Sequence, residues 1–122
     1  MISTILNDYK TFSDSVINKI EFYDKKNDSG EWIELTKIHL FSYNWSIDKF
    51  ESIILTFENI KEFRFIKQRK RSSTVITDAL LKFENGEIVF DFFPKQYSDS
   101  LLEIDPYSDF LIRCEKIYLE II

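Results

Sequence analysis

The chain has 122 residues, of which 44% are hydrophobic and 16% aromatic, which predicts a single domain over residues 1–122 with a substantial buried core. Its formal net charge is −5, and because nucleic-acid-binding domains are usually basic, this balance argues against a nucleic-acid partner. The sequence has one cysteine, no apolar stretch approaching about 18 residues and no signal-peptide pattern, which excludes a disulfide framework and predicts a cytoplasmic protein without membrane association.

The N-terminal part of the chain predicts a short helix followed by a strand. Apolar residues recur at helical spacing in residues 2–11, at Ile2, Ile5, Leu6 and Tyr9. A helix this short is marginal on its own in water, so we expect it to dock on the rest of the domain. Residues 16–24 then alternate apolar and polar side chains, which is the period-two pattern of a half-buried strand.

Residues 32–66 predict three more strands. In residues 32–43 the apolar positions change from odd to even numbers, and a β-bulge near Thr36-Lys37, which adds one residue, would explain the change. The other elements predicted in this part are a strand over 50–57, a turn at Glu58-Asn59 and a short strand over 62–66.

The clearest pattern in the chain is a β-hairpin over residues 79–93. Its strands are joined by Asn85-Gly86, a pair that tolerates the positive φ angles of a type I′ turn. The register that this two-residue turn imposes pairs Phe83 with Ile88, Leu81 with Phe90 and Ala79 with Phe92. We expect the first strand of the hairpin to extend back to about Thr74.

The last part of the chain predicts an acidic loop after Pro94 and a C-terminal strand over residues 107–121. This strand is either one long element or two elements joined at a bulge near Glu115-Lys116. About seven short strands with little helix indicate an all-β fold, either an antiparallel β-sandwich or an open barrel, with a short N-terminal helix.

Charge is distributed unevenly along the chain. Residues 61–82 hold seven basic and two acidic residues, whereas residues 83–122 hold three basic and nine acidic residues. Four of the positive charges lie in residues 67–71, which could contact phosphate, contact a protein or form a solvated hairpin loop. The two oppositely charged segments either form separate patches that steer a partner or lie side by side and neutralise each other.

Two short segments resemble patterns found in a group of small bacterial β-rich proteins. They are Phe12-Ser13-Asp14-Ser15-x-Ile17, before the first strand, and Leu111-Ile112-Arg113-Cys114-Glu115-Lys116-Ile117, near the end. Some proteins of this group are similar to immunity proteins, which neutralise a toxin encoded beside them. The resemblance implies a binding role in the cytoplasm and assigns no catalytic residue.

Few residues could carry catalysis or hold a metal ion. His39, the single histidine, lies in the middle of a predicted strand, and Cys114, the single cysteine, lies in an apolar strand, and both contexts favour structural roles. The acidic residues that could together bind Ca²⁺ are Asp99, Glu103, Asp105 and Asp109, but their spacing fits no EF-hand loop and favours a solvated loop. We therefore predict that the protein is not an enzyme and has neither a cofactor nor a metal site.

The acidic loop also carries two tyrosines, and an aromatic side chain surrounded by charge is typical of protein-binding surfaces. The candidate binding residues are Tyr97, Asp99, Glu103, Asp105 and Tyr107. We predict a non-catalytic protein-binding module and, from the resemblance, an immunity-like inhibitor of a bacterial toxin. The alternative is a small-molecule or carbohydrate-binding β-sandwich that uses exposed rings in a concave pocket, with Trp32, Trp45, Tyr97 and Tyr107 as candidates.

Overall fold

The computed structural model describes residues 1–67, 74–98 and 101–122. Strand makes up 64% of the structure and helix 7%, which confirms the all-β prediction. The elements in chain order are the helix α1 (Ile2–Tyr9) and the strands β1 (Ser15–Lys26), β2 (Trp32–Asn44), β3 (Lys49–Phe65), β4 (Val75–Ile76), β5 (Leu80–Glu84), β6 (Glu87–Asp91), β7 (Lys95–Ser98), β8 (Leu101–Glu103) and β9 (Phe110–Ile121). No helix among the described residues is long and apolar enough to cross a membrane.

Seven of the described strands form one antiparallel sheet that curls into a half-barrel, in the order β4-β1-β2-β3-β9-β6-β5. The two outermost strands, β4 and β5, are joined by residues 77–79 alone. The four Cα-to-Cα steps of this connection reach at most about 15 Å, so the two edges of the sheet must approach each other. The predicted open barrel of about seven strands is therefore confirmed, and this short connection explains its curvature.

The β5–β6 hairpin has the predicted turn and register. Asn85 and Gly86 have φ angles of 53° and 77°, as a type I′ turn requires. The strands form two of the three predicted pairs, Phe83 with Ile88 and Leu81 with Phe90. The Phe83 side chain, two residues from the turn, is 62% exposed, so Phe83 is not part of the buried core.

The prediction that the first hairpin strand reaches back to Thr74 is wrong. Val75 and Ile76 form the separate strand β4, which pairs with β1 at the opposite edge of the sheet. The backbone N–H of Ala79, the residue before β5, donates to the carbonyl of Thr11 at 2.6 Å. The N-terminal segment therefore contacts the connection between β4 and β5.

β3 is one strand where two strands and a turn were predicted. Its register with β9 shifts between Ile60 and Glu62, so Lys61 is the additional residue of a bulge. Asn59 has a φ angle of 57°, an angle common in turns, yet the residues on both sides of it pair with β9. An asparagine that marks a turn in the sequence thus lies inside a bent, continuous strand.

The bulge predicted at Thr36-Lys37 is also wrong. Residues 35–44 of β2 pair with β3 in one uninterrupted register, and the bulge lies in β1, where the register shifts between Ile17 and Lys19. Leu35 and Thr36 are both buried although successive side chains of a strand point to opposite faces. Both faces of β2 are covered at this point, which explains why its apolar positions change phase without an additional residue.

The C-terminal third also differs in detail from the prediction. The acidic loop after Pro94 contains β7 and β8, a two-stranded ribbon that the polar sequence did not indicate. The C-terminal strand starts at Phe110 and continues through Glu115-Lys116 as one element, which is the first of the two predicted alternatives.

The core lies inside the half-barrel, and the N-terminal segment completes it. Ile5, Tyr9 and Phe12 are each at most 1% exposed. The Phe12 ring lies 5.1 Å from the ring of Phe90, which stacks on Phe92 at 4.3 Å. As expected, the short helix is stabilised by docking, although it ends at Tyr9 rather than at residue 11.

Candidate functional site: an acidic groove beside Tyr107

A groove of about 540 Å³ lies where the connection between the two sheet edges meets the β7–β8 ribbon. Its lining includes Val75, Thr77 and Asp78 from the part of the chain around this connection, and Asp105, Tyr107, Ser108 and Asp109 from the segment before β9. Residues 92–94, which follow β6, and Gln96 and Leu102 of the ribbon also line the groove. The groove is therefore assembled from segments that are distant in the sequence.

The groove is acidic. Asp78, Asp105 and Asp109 contribute carboxylates to its walls, and no lysine or arginine lines it among the residues that the structure describes. The carboxylate of Asp78 accepts a hydrogen bond from the Thr11 hydroxyl at 2.6 Å, which fixes this side chain against the N-terminal segment. Such a surface favours cationic groups of a partner.

Asp91, at the end of β6, joins two of the segments that line the groove. It is fully buried, and its two carboxylate oxygens accept hydrogen bonds from the backbone N–H groups of Phe93 at 3.0 Å and Asp105 at 2.8 Å. Burial raises the pKa of this carboxyl above its ordinary range, although these hydrogen bonds act in the opposite direction. One side chain thus ties the segment that carries Phe93 to the segment that carries Tyr107.

The segment that carries Tyr107 is a braced β-turn over residues 105–108. The N–H of Ser108 donates to the carbonyl of Asp105 at 3.0 Å, and the Asp105 carboxylate accepts the N–H of Tyr107 at 2.9 Å. From β3, the Arg64 guanidinium donates to the carbonyls of Pro106 at 2.6 Å and Ser108 at 3.1 Å. Hydrogen bonds within the turn and from Arg64 of β3 hold the turn in place, so the side chain of Tyr107 projects from an ordered backbone.

The structure places the five predicted binding residues in different positions. Asp105 and Tyr107 line the groove, and the Tyr107 side chain is 85% exposed. Tyr97 is the additional residue of a bulge in β7 and is 59% exposed, and Glu103 pairs with Lys95 across the β7–β8 ribbon. These two lie beside the groove rather than in its lining, and Asp99 lies outside the described residues.

Sequence reasoning missed Asp78 and Asp91. Asp91 did carry a local signal, because a single aspartate inside the apolar run of residues 88–93 must be either exposed or hydrogen-bonded. Asp78 carried none, since its place in the groove depends on the pairing of β4 with β1.

His39 and Cys114 lie away from the groove and have local partners. The His39 Nε2 atom lies 2.6 Å from a carboxylate oxygen of Glu21 on the neighbouring strand, and this hydrogen bond lowers the pKa of Glu21. Cys114 is fully buried, and burial raises the pKa of its thiol to about 12, so the thiol is protonated near neutral pH. Within the described ranges, no group of three or more histidine, cysteine or acidic side chains could hold a metal ion.

The other rings proposed for a ligand pocket lie elsewhere. Trp32 and Trp45 are 67% and 52% exposed and lie under the ammonium groups of Lys26 and Lys10, at 5.2 and 4.9 Å from the ring centroids. Of the four candidate rings, Tyr107 alone lines the groove. The basic run starts at exposed Lys67, and its remaining residues, 68–71, lie outside the described part of the chain.

Comparison of the chain with protein-family models, with curated proteins and with solved structures found no match.

Proposed function

We propose that this protein is a non-catalytic protein-binding module that binds a basic partner at the acidic groove. The observation that carries the proposal is the position of Tyr107, an 85% exposed ring on a braced turn beside three aspartates. Tyrosine supplies a large contact area with few rotatable bonds, and it is enriched among the side chains that dominate binding energy.

The rigidity of the turn supports the same conclusion. A partner that binds Tyr107 has little loop entropy to overcome, because the turn over 105–108 is already ordered by Arg64 and Asp91. The aspartates would act mainly on the encounter, since complementary charge speeds association and rejects wrong partners more than it adds affinity.

The finer proposal is that the partner is a bacterial toxin and that this protein inhibits it. The resemblance of residues 12–17 and 111–117 to immunity-like proteins supports it. A basic, nucleic-acid-cleaving site of a nuclease toxin has the charge that the groove would complement. In this proposal the protein works in the cytoplasm, where such a site would have to be blocked.

The test uses the protein encoded beside this one as the candidate partner and measures association and dissociation rates at about 50 and about 500 mM salt. We expect the on-rate to fall about tenfold or more at the higher salt and in the variants Asp105→Asn and Glu103→Gln. Tyr107→Ala should instead raise the off-rate about tenfold or more.

Two matched controls separate the groove from the rest of the surface. Tyr118→Ala removes a 43% exposed tyrosine from β9, and Asp24→Asn removes an exposed carboxylate from β1, and neither should change binding. If these controls weaken binding as much as Asp105→Asn and Tyr107→Ala, or if those two variants bind like the wild type, the proposed site is wrong.

The volume of the groove favours a second candidate, a small-molecule or carbohydrate-binding function. About 540 Å³ lies within the range of roughly 300–1,000 Å³ found for ligand pockets. Ligand-observed NMR with a panel of mono- and oligosaccharides tests this function. Saturation transfer to a sugar that Tyr107→Ala abolishes would favour it over protein binding.

A further inference from the structure

The N-terminal arm, residues 1–12, inserts three side chains into the half-barrel. Ile5, Tyr9 and Phe12 are at most 1% exposed, and Phe12 packs on the Phe90 ring of β6 at 5.1 Å. The hydroxyl of Tyr9 donates to the carboxylate of Glu51, a residue of β3. The apolar contacts of the arm are therefore made with the body of the domain as well as within the arm.

Polar contacts fix the C-terminal half of the arm at Asp8 and at Thr11. The backbone N–H of Trp45 donates to the Asp8 carbonyl at 2.7 Å, and the hydroxyl of Ser46 donates to the Asp8 carboxylate at 2.7 Å. Farther along, the Thr11 hydroxyl donates to Asp78 at 2.6 Å. We call the surface formed by these body residues, with Glu51 and Phe90, the arm site.

The hinge between the arm and β1 has an unfavourable backbone geometry. Phe12 and Asp14 have φ angles of 55° and 61°, in the left-handed region that favours glycine, and they flank Ser13. Within the described part of the chain, one backbone hydrogen bond closes the hinge, from the N–H of Ser15 to the carbonyl of Phe12 at 3.1 Å. An extended hinge would give both residues ordinary φ angles and would lose this single bond.

We infer that the arm can dock in the arm site of a second copy of this chain, so that the protein forms a dimer by exchange of arms. The occupant of the arm site is then the segment that already fits it, with the same buried side chains and hydrogen bonds. The closed monomer and the exchanged dimer differ only in the hinge and in the entropy of association. Release of the two positive φ angles favours the dimer, and dilution favours the monomer.

The exchange leaves the acidic groove intact and makes it a product of two chains. Thr11 would reach Asp78 of the other copy, so each groove would be supported by the arm of its partner. Exchange at the arm site does not depend on what the groove binds.

The first experiment traps the arm where it docks. In the double variant Asp8→Cys, Ser46→Cys, the two new thiols replace side chains that are hydrogen-bonded in the structure, and the buried Cys114 is protected from oxidation. The full-length variant is refolded at about 10 µM and about 1 mM, oxidised and separated under non-reducing denaturing conditions. We expect a covalent dimer whose fraction rises with concentration, and an intramolecular disulfide alone at both concentrations would overturn the inference.

The second experiment tests the hinge by light scattering after size-exclusion chromatography. Asp14→Gly, which removes the penalty at the positive φ angle of the closed hinge, should raise the dissociation constant of the dimer about fivefold or more. Asp14→Pro cannot adopt that angle and should increase the dimer fraction. Asp48→Gly is the matched control, because Asp48 has a φ angle of 55° in the β2–β3 connection, outside the hinge. If Asp48→Gly shifts the equilibrium as much as Asp14→Gly, the hinge does not control exchange.

Discussion

Asp91 is the residue on which the shape of the groove depends most directly. Its carboxylate accepts the N–H groups of Phe93 and Asp105, so it joins β6 to the turn that presents Tyr107. A buried carboxylate is costly unless it is hydrogen-bonded, and here the hydrogen bonds serve to position the wall of the candidate site.

We expect Asp91→Asn to destabilise the protein by about 1–2 kcal/mol at neutral pH, because an amide offers one acceptor for two N–H donors. Burial raises the pKa of Asp91 in the folded state above its unfolded value. Between these two pKa values the folded state binds more protons, so the contribution of Asp91 to stability grows as the pH falls through that interval. Urea unfolding at a series of pH values down to about 4 should therefore show a difference between wild type and variant that widens with acid.

Asp24→Asn is the control for this prediction, because Asp24 is exposed and should give no comparable widening. A difference that instead shrinks on acidification would mean that the fold stabilises the charged form of Asp91.

At the scale of elements, the sequence predicted the β5–β6 hairpin best, because the residues that determine a two-residue turn lie within the turn itself. Asn85-Gly86 adopts the predicted geometry and imposes the predicted register. The bulges in β1 and β3 and the continuity of β3 through Asn59 were not predictable from spacing, because they depend on which strand lies alongside. The same apolar and turn-forming residues are compatible with a turn between two strands or with one continuous, bulged strand until the partner strand is known.

We expect Gly86→Ala to destabilise the protein by about 1 kcal/mol, since Gly86 has a φ angle of 77° that a Cβ atom disfavours. No neighbouring atom lies within 4 Å of the position of that Cβ, so the loss would come from the backbone and not from a clash. Urea unfolding measures the effect. Asn85→Gly, which keeps the positive φ angle accessible, should change stability by less than about 0.5 kcal/mol. Equal losses in the two variants would contradict the assigned turn type.

At the scale of the whole molecule, the half-barrel depends on two connections between its edges. Residues 77–79 join β4 to β5 directly, and the N-terminal arm bridges the same region through Thr11. Thr11 binds both Asp78, through its hydroxyl, and Ala79, through its carbonyl, so it holds this connection in place.

We expect Thr11→Val, which keeps the shape of the side chain and removes the hydroxyl, to destabilise the protein by about 1–2 kcal/mol. Hydrogen exchange at Val75 and Ile76 of β4 should accelerate more than exchange at the centre of β2, because the loss is local to the sheet edge. Thr56→Val, in the half-buried part of β3, is the control and should leave both quantities nearly unchanged. If hydrogen exchange accelerates equally throughout the sheet, Thr11 contributes to global stability and has no local effect on the β4 edge.

The sequence by itself determined the all-β class, the docked N-terminal helix, the β5–β6 hairpin and the presence of an acidic, tyrosine-bearing segment after Pro94. Each of these follows from spacing, turn chemistry or composition within a short stretch, where neighbouring residues are enough to decide the outcome. The tertiary structure alone decided the pairing of β4 with β1, the bulges and the groove that brings Asp78 to Asp105. These features depend on contacts between residues far apart in the chain, whose register is fixed only when the whole sheet has curled and its two edges have met.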